Sequence, residues 1–183
     1  ADRLKLIGVT GTNGKTTVTT LIKSILSSCG IKTGLIGTIQ NEIGDMILPT
    51  DKTTPDAYDL QKLFLRMADE GCEYVVMEVS SHALDQYRIG NIHYDVAVFT
   101  NLTQDHLDYH KTMENYFNAK KRLFEIADVG VINVDDIYGR QLSLIAKCHV
   151  VTCSLMNDKA DFFATDIVCS SSGVSFHFEC NNI

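Results

Sequence analysis

The sequence has no apolar run close to the ~20 residues that a helix needs to span a bilayer. It also has only two prolines, no internal repeat, and no low-complexity stretch or linker. Its first residues pass directly into a short strand-like run and lack the shape of a secretory signal. These absences predict a soluble, cytoplasmic protein with no membrane partner, folded as one domain over residues 1–183.

Positive charge is scarce as well. Lys and Arg number 16 against 23 Asp and Glu, which gives a net charge of −7 and a pI near 5.2. A nucleic-acid-binding protein normally presents a basic face, so this balance argues against a nucleic-acid partner. An acidic protein can still bind a polyphosphate through backbone N–H groups, one lysine and metal ions. The six cysteines include no CxxC pair and no metal-ligand spacing, and we interpret them as reduced thiols.

Short apolar runs alternate with helix-like segments along most of the chain. We expect strands at residues 4–10, 74–80, 96–102, 129–134 and 149–155, and helices at 16–29, 56–71, 113–127 and 137–147. Residues 33–48 suggest two strands around a turn at 41–45, and residues 164–180 suggest an antiparallel hairpin around 170–173. The pattern predicts an α/β fold whose mostly parallel sheet has helices on both faces and a hairpin near the C-terminus. Ligands bind such sheets at the carboxyl ends of the strands.

A glycine-rich loop follows the first strand and opens the first helix. Its glycines let backbone N–H groups turn toward phosphate oxygens, and the helix N-terminus adds partial positive charge. We expect Lys15 to reach the β- and γ-phosphates and the Thr16 hydroxyl to bind Mg²⁺. The usual GxxxxGK[ST] pattern has glycine where this chain has Val9, so the loop is a variant. The strand before and the helix after argue against a turn that only caps a helix. The predicted nucleotide-binding residues are Gly11, Thr12, Asn13, Gly14, Lys15, Thr16 and Thr17.

Two further groups follow apolar strands. Glu78 ends one strand, where P-loop proteins place an acid that binds the nucleotide's Mg²⁺ directly or through water. The alternative is a glutamate that faces solvent. His106 and His110 follow another strand and are flanked by Asp105 and Asp108, which could suggest zinc. Without a third ligand at a familiar spacing, one histidine assisting a nucleotide metal is the better interpretation, and we interpret His110 as structural.

Lys120 lies in the middle of an apolar helix face. Burial there would lower the pKa of its amine and leave it neutral and reactive. Such an amine can form a Schiff base, donate to a phosphate, or react with CO₂ to give a carbamate, an anionic ligand suited to Mg²⁺. Side-chain physics alone favours snorkelling, in which the stem is buried and the ammonium reaches water. The other residues of this face are Met113, Tyr116, Phe117, Leu123 and Phe124.

Taken together, these segments resemble the Mur ligase family over nearly the whole chain. The sequence of residues 11–17, GTNGKTT, resembles the ATP loop of the family. Three segments resemble the branch that makes UDP-N-acetylmuramoyl-tripeptide, and the last two are specific to far fewer proteins than a P-loop alone. They are MEVSSHAL at 77–84, NLTQDHLDYH at 101–110 and YFNAK at 116–120.

The resemblance implies roles for individual residues. Lys120 would be a carbamylated lysine that holds a second Mg²⁺ with His106, while Glu78 and Thr16 would hold the first. Lys15, Lys120 and His106 would be the catalytic residues. Some relatives in the family have asparagine just before the two threonines, where this chain has Lys52. The residues implied to bind the UDP-linked precursor are Thr53, Thr54, Ser80, Gln86 and Arg88.

The implied reaction is ATP-driven amide formation between UDP-N-acetylmuramoyl-dipeptide and an amino acid, through an acyl-phosphate. The resemblance also implies that residues 1–183 are a central ATP-binding domain, incomplete at its C-terminal end, without the N-terminal UDP-binding and C-terminal amino-acid-binding domains of the family. The alternatives are a related ligase that extends folate with glutamate, a P-loop kinase or GTPase, and a nucleotide-binding fragment without activity. The chain has no guanine-reading NKxD motif.

Overall fold

The computed structural model describes residues 3–171 and 173–181. Within those residues, ten strands form one sheet: β1 (Lys5–Thr10), β2 (Thr33–Ile36), β3 (Asn41–Ile43), β4 (Met46–Leu48), β5 (Tyr74–Glu78), β6 (Tyr94–Phe99), β7 (Ala127–Asn133), β8 (His149–Ser154), β9 (Phe162–Ser170) and β10 (Gly173–Cys180). Their order across the sheet is β10-β9-β8-β7-β6-β1-β5-β2-β3-β4.

Seven neighbouring strands run parallel, in the order β9-β8-β7-β6-β1-β5-β2. The sheet adds β3 and β4 antiparallel at one edge and β10 antiparallel at the other. This arrangement confirms the predicted α/β class and the C-terminal hairpin. It also brings the segments that follow β1, β2, β5, β6 and β7 to the same edge of the sheet.

Helices cover both faces, as predicted. The helices are α1 (Lys15–Ser28), α2 (Ala57–Asp69), α3 (Ser81–Asp85), α4 (Leu107–His110), α5 (Met113–Lys121) and α6 (Ile137–Ile145). Side chains of β5 alternate between the faces: Val76 packs in the cluster that contains α1, while Val75 and Met77 pack in the larger core with α2, α5 and α6. Within the described residues, no helix combines the length and apolarity needed to cross a bilayer.

The structure corrects several predicted boundaries. Residues 33–48 contain three strands, and the segment predicted as a turn begins with β3. Asn41, the first residue of β3, is buried, and its side chain accepts a hydrogen bond from the Gly37 N–H. The turn lies instead at Gly44, which has φ of 57°. The helix predicted to reach residue 127 ends at Lys121 and continues as a 3₁₀ turn, Arg122–Glu125. Ala127 already pairs with β6 as the first residue of β7.

Other differences are smaller. The short helices α3 and α4 were not predicted, because five and four residues are too few to show a helical period. The C-terminal hairpin begins at Phe162 and not at residue 164. Ser172, in the predicted turn of that hairpin, lies outside the described residues.

Gly139 fixes the distance between α6 and the sheet. A Cβ at this position would lie 1.9 Å from the Asn133 carbonyl oxygen, a backbone atom at the end of β7. Gly139→Ala is therefore expected to destabilise the fold by about 1–3 kcal/mol and lower Tm by several degrees, despite the ~1 kcal/mol that alanine adds to a helix. Thermal unfolding checks this, with Gln141→Ala on the exposed side of α6 as control. A Tm equal to or above that of the wild type would contradict this docking of α6.

Candidate active site

The loop between β1 and α1 depends on two glycines with positive φ. Gly11 has φ of 150° and Gly14 has φ of 85°, values that residues with a Cβ rarely adopt. A Cβ on Gly11 would also lie 1.9 Å from the Thr100 hydroxyl. The backbone therefore passes close to the segment after β6 and then enters α1 with the free N–H groups of a helix N-terminus facing the loop.

The segment after β6 holds this loop in place. The Asn101 carbonyl accepts from the Thr12 N–H at 2.9 Å, and the Asn101 side chain accepts from the Asn13 N–H at 3.0 Å. The Thr100 hydroxyl donates to the Asn13 carbonyl at 2.7 Å, and the Thr103 N–H donates to the Thr12 hydroxyl at 3.0 Å. The loop is thus preorganised by residues about ninety positions away in sequence.

Lys15 is the cation of the loop. Its Nζ donates to the carbonyl oxygens of Gly11 and Thr12, each at 2.9 Å, so the ammonium lies over the curled backbone. Burial lowers the pKa of Lys15, while the charges of Glu78 and Asp105 oppose that shift. These contacts place a positive charge beside N–H groups that can bind phosphate oxygens.

Glu78 is buried, with 1% of its surface exposed, which rules out the solvent-facing alternative. Oε1 accepts from the Thr16 hydroxyl at 2.9 Å and from the Thr38 N–H at 2.8 Å. Oε2 accepts from the Thr38 hydroxyl at 3.0 Å. Carboxylate and hydroxyl oxygens at this spacing are the hard donors that Mg²⁺ prefers. The donor set of Thr16 and Glu78 therefore fits the metal that the sequence implies.

Two residues of this group were missed by the sequence reasoning. Thr38 binds both oxygens of Glu78, and its hydroxyl lies 3.0 Å from the Thr53 hydroxyl. Gly37 leaves room for the carboxylate, because a Cβ there would lie 2.7 Å from Glu78 Oε1. Their one signal in the sequence is position: Gly37 and Thr38 follow an apolar run that turns out to be the parallel strand β2.

Lys120 is buried to 1% exposure, so the prediction of snorkelling is wrong. Its Nζ donates to the Gly11 carbonyl at 2.8 Å and lies 4.6 Å from the centre of the Tyr116 ring. The ammonium does not reach water because the phosphate loop covers the end of the α5 face. Burial lowers the pKa of Lys120 well below its usual value, the Lys15 charge lowers it further, and Asp105 opposes both. Its neighbour Lys121 is partly exposed and ion-paired with Glu125 at 3.7 Å.

His106 meets the Tyr116 ring edge-on, with ring centres 6.1 Å apart. Its backbone is left-handed, with φ of 52°, which turns the chain into α4. The side chain is about half exposed and lies 3.5 Å from the Asp105 carboxylate. Within the described residues, no three His, Cys, Asp or Glu side chains are arranged to hold a metal ion. Any metal near His106 would therefore need a ligand from another residue type or from a bound substrate.

His110 has the structural position expected of it. It is buried, its Nε2 is 2.9 Å from the Ser81 hydroxyl, and its ring stacks on Tyr116 with centres 5.0 Å apart. Burial lowers the pKa of His110, and the charges of His82 and Lys120 act in the same direction. His110 thus ties α3 to α5 beneath the site.

The five predicted precursor-binding residues lie near one another beside Glu78. Arg88 is central: it donates to the Gln86 side chain at 2.6 and 2.9 Å and to the Thr54 carbonyl at 3.3 Å. The Thr54 hydroxyl is buried, where it donates to the Glu78 carbonyl and accepts from the Ser80 N–H. Ser80 caps α3 through its hydroxyl. Thr53 lies on the same surface through its contact with Thr38.

An open cavity of about 500 Å³ lies beside the phosphate loop. It is bordered by the loop at Asn13 and Gly14 and by aromatic side chains of β9 and β10, including Phe162 and Phe178. Asn133 supplies an amide at its wall. Apolar walls with a few polar groups are typical of sites that bind small molecules and cofactors.

The fold and the site define a P-loop nucleotide-binding protein of the α/β class. The Mur ligase middle domain model matches residues 9–183, and the chain belongs to the Mur ligase family. Mur ligases are ATP-dependent enzymes that join an amino acid to a cell-wall precursor and use Mg²⁺. Family membership therefore agrees with the donor set found at Thr16 and Glu78.

Two similar proteins are each named UDP-N-acetylmuramoyl-L-alanyl-D-glutamate--2,6-diaminopimelate ligase. The one from Caldanaerobacter subterraneus subsp. tengcongensis is 51% identical over 96% of this chain and 36% of its own length. The one from Clostridium perfringens is 48% identical over 100% of this chain and 38% of its own length. A solved structure of a ligase of that name superposes with a TM-score of 0.88 at 37% identity, covering 96% of this chain and 37% of that one. The chain thus spans little more than a third of these relatives.

Proposed function

We propose that this chain is the central ATP-binding domain of a ligase that adds the third amino acid to UDP-N-acetylmuramoyl-dipeptide in the bacterial cytoplasm. One observation carries the proposal: a phosphate loop, a buried acid, a buried lysine and an arginine-centred polar group meet at one edge of the sheet. The lengths and the similarity of the relatives support further domains for the UDP group and the incoming amino acid. Their names support 2,6-diaminopimelate as that amino acid and L-alanyl-D-glutamate as the dipeptide.

The proposed chemistry has two steps. A carboxylate oxygen of the dipeptide attacks the γ-phosphorus of ATP, the bond to the bridging oxygen breaks, and ADP leaves with that electron pair. The amine of the amino acid then attacks the acyl carbon, phosphate leaves, and the amine loses a proton. Lys15 and the N–H groups of residues 11–17 would stabilise negative charge on the transferring phosphoryl group. Arg88 with Gln86 would hold the dipeptide so that its carboxylate points toward Glu78.

The proposed site also includes two Mg²⁺ ions and a carbamate on Lys120. Thr16 and Glu78 would hold the nucleotide's Mg²⁺, and a carbamate on Lys120 with His106 would hold a second. Bound Mg²⁺ neutralises phosphate charge and orients the γ-phosphoryl group for attack. The burial of Lys120 against Gly11 and Tyr116 supports a neutral amine, which is the form that reacts with CO₂.

Phosphate release by the full-length ligase tests the function. We expect release only when ATP, Mg²⁺, UDP-N-acetylmuramoyl-L-alanyl-D-glutamate and 2,6-diaminopimelate are all present. Replacing diaminopimelate by lysine measures the choice of amino acid. Release with a folate and glutamate, and none with the UDP-linked dipeptide, would assign the chain to the folate-extending ligases instead. ATP binding without release under any of these conditions would leave only a nucleotide-binding protein.

Arg88→Ala is expected to raise KM for the UDP-linked dipeptide roughly 10- to 100-fold, since a hydrogen bond to a charged group contributes about 1.5–3 kcal/mol. KM for ATP should change little, because Arg88 contacts Gln86, Thr54 and Asp56 and no residue of the phosphate loop. Initial rates with each substrate varied in turn separate the two constants. Arg66→Ala, on the exposed end of α2, is the matched control. An effect confined to KM for ATP would place Arg88 on the wrong ligand.

A further inference from the structure

His82 lies between the two halves of the proposed site. It is the second residue of α3, directly after the strand that ends in Glu78. Its ring centre is 5.0 Å from that of His106, on the metal side. It is 4.3 Å from the ring of Tyr109, whose hydroxyl accepts from Gln86 on the precursor side.

The ring is held by packing, and its nitrogens remain available. His106 meets it edge-on, Tyr109 is tilted across it, and His110 lies 5.5 Å away beneath it. Within the described residues, neither imidazole nitrogen of His82 has a hydrogen-bond partner, although the side chain is only partly exposed. By contrast, His110 uses its Nε2 on Ser81. Neither nitrogen is a buried atom without a partner, so both are accessible to solvent and to a bound substrate.

The charges around His82 indicate the sign of a substrate group that would bind there. Arg88 acts on the imidazole as a positive group, and it does so more strongly than the exposed Asp108 acts as a negative one. An anionic oxygen placed here would be attracted by the Arg88 guanidinium. The proposed reaction would bring such a group close to His82, because a dipeptide held by Arg88 must present its carboxylate to the nucleotide at the phosphate loop.

We propose that His82 contacts the substrate and donates a hydrogen bond from its imidazole to the reacting carboxylate of the UDP-linked dipeptide. The bond would hold the carboxylate oxygen toward the γ-phosphate and persist on the acyl-phosphate that follows. The inference rests on the proposed function and extends it by one residue. It predicts that the nitrogen of His82 matters, and not only its ring.

Two replacements separate the nitrogen from the ring. His82→Phe keeps a flat ring between His106 and Tyr109 but cannot donate a hydrogen bond. His82→Gln loses the ring and keeps an N–H donor. In the full-length ligase, we expect His82→Phe to lower kcat/KM for the UDP-linked dipeptide roughly 10- to 100-fold, the range for a hydrogen bond to a charged group. We expect His82→Gln to stay within about threefold of the wild type and ATP affinity to remain unchanged in both, since no hydrogen bond or ring contact among the described residues joins His82 to the phosphate loop.

The control is His93→Phe, an exposed histidine that pairs with Asp128 away from the site. Wild-type phosphate release that requires the UDP-linked dipeptide establishes the function first, so a failure of the proposed function is seen before any variant is made. The inference is overturned if His82→Phe works as well as the wild type, if both variants lose activity equally, or if only KM for ATP changes. If His82→Phe does not fold, His82→Ala replaces it, and equal losses in His82→Ala and His82→Gln overturn the inference.

Discussion

Replacing Lys15 by alanine is expected to weaken Mg·ATP binding about 10- to 100-fold and to lower kcat roughly 10²- to 10³-fold. In the structure the ammonium lies over the loop, bonded to two of its carbonyl oxygens, where phosphates would bind. A charge in a partly buried place interacts more strongly with a polyphosphate than one in water, because less solvent screens it. The loss in kcat should exceed the loss in binding, since negative charge shifts between phosphate oxygens during transfer.

Calorimetric titration of ATP into the full-length ligase, with and without Mg²⁺, measures the first effect, and phosphate release measures the second. Lys62→Ala is the control, because Lys62 is exposed on α2 and lies over the Tyr58 ring. Equal ATP affinity in the wild type and Lys15→Ala would remove residues 11–17 from the nucleotide site. A loss of Tm in Lys15→Ala would be a sign of a disturbed loop, and Lys15→Arg then tests the charge alone.

The sequence predicts those parts of the site in which a functional residue and the strand or helix that positions it lie in one short segment. Residues 11–17 are recognisable as a phosphate loop because the strand, the glycines and the helix are consecutive. Glu78 is predictable in the same way, since an apolar strand ends on it. In a parallel sheet such strand ends share one edge, so their proximity follows from the alternation of strands and helices.

Contacts between distant segments could not be predicted in this way. Thr38 binds the carboxylate of Glu78 across 40 residues, and its sequence neighbours give no sign of that partner. Lys120 bonds to Gly11 across 109 residues. Without that contact, an ammonium on an apolar face has its lowest free energy at the rim of the face, in water, and the sequence therefore favours snorkelling. Burial of Lys120 is decided by what packs on the end of α5, and periodicity says nothing about that.

Lys120→Ala is expected to lower turnover of the full-length ligase roughly 10²- to 10³-fold while leaving ATP affinity largely intact. The physical reason lies in the surroundings of the amine, which is enclosed by Gly11 and Tyr116 and close to the charge of Lys15. A buried cation next to another cation is costly, and conversion to a carbamate would turn it into an anion that attracts both Lys15 and Mg²⁺. The variant would keep the phosphate loop but lose this ligand.

Lys121→Ala is the matched control, because Lys121 is the adjacent residue, is partly exposed and pairs with Glu125. Its turnover should stay close to that of the wild type. Short carboxylic acids such as formate or acetate should partly restore Lys120→Ala, since they can occupy the space of the missing side chain and offer carboxylate oxygens to the metal. Mass spectrometry or electron density of the wild type at high bicarbonate checks the modification directly, as a gain of one CO₂ on Lys120. Damage from Lys121→Ala, or a bare amine at Lys120 together with failed rescue, would end the carbamate proposal, because a carbamate acting as a metal ligand must be both present and replaceable by another carboxylate.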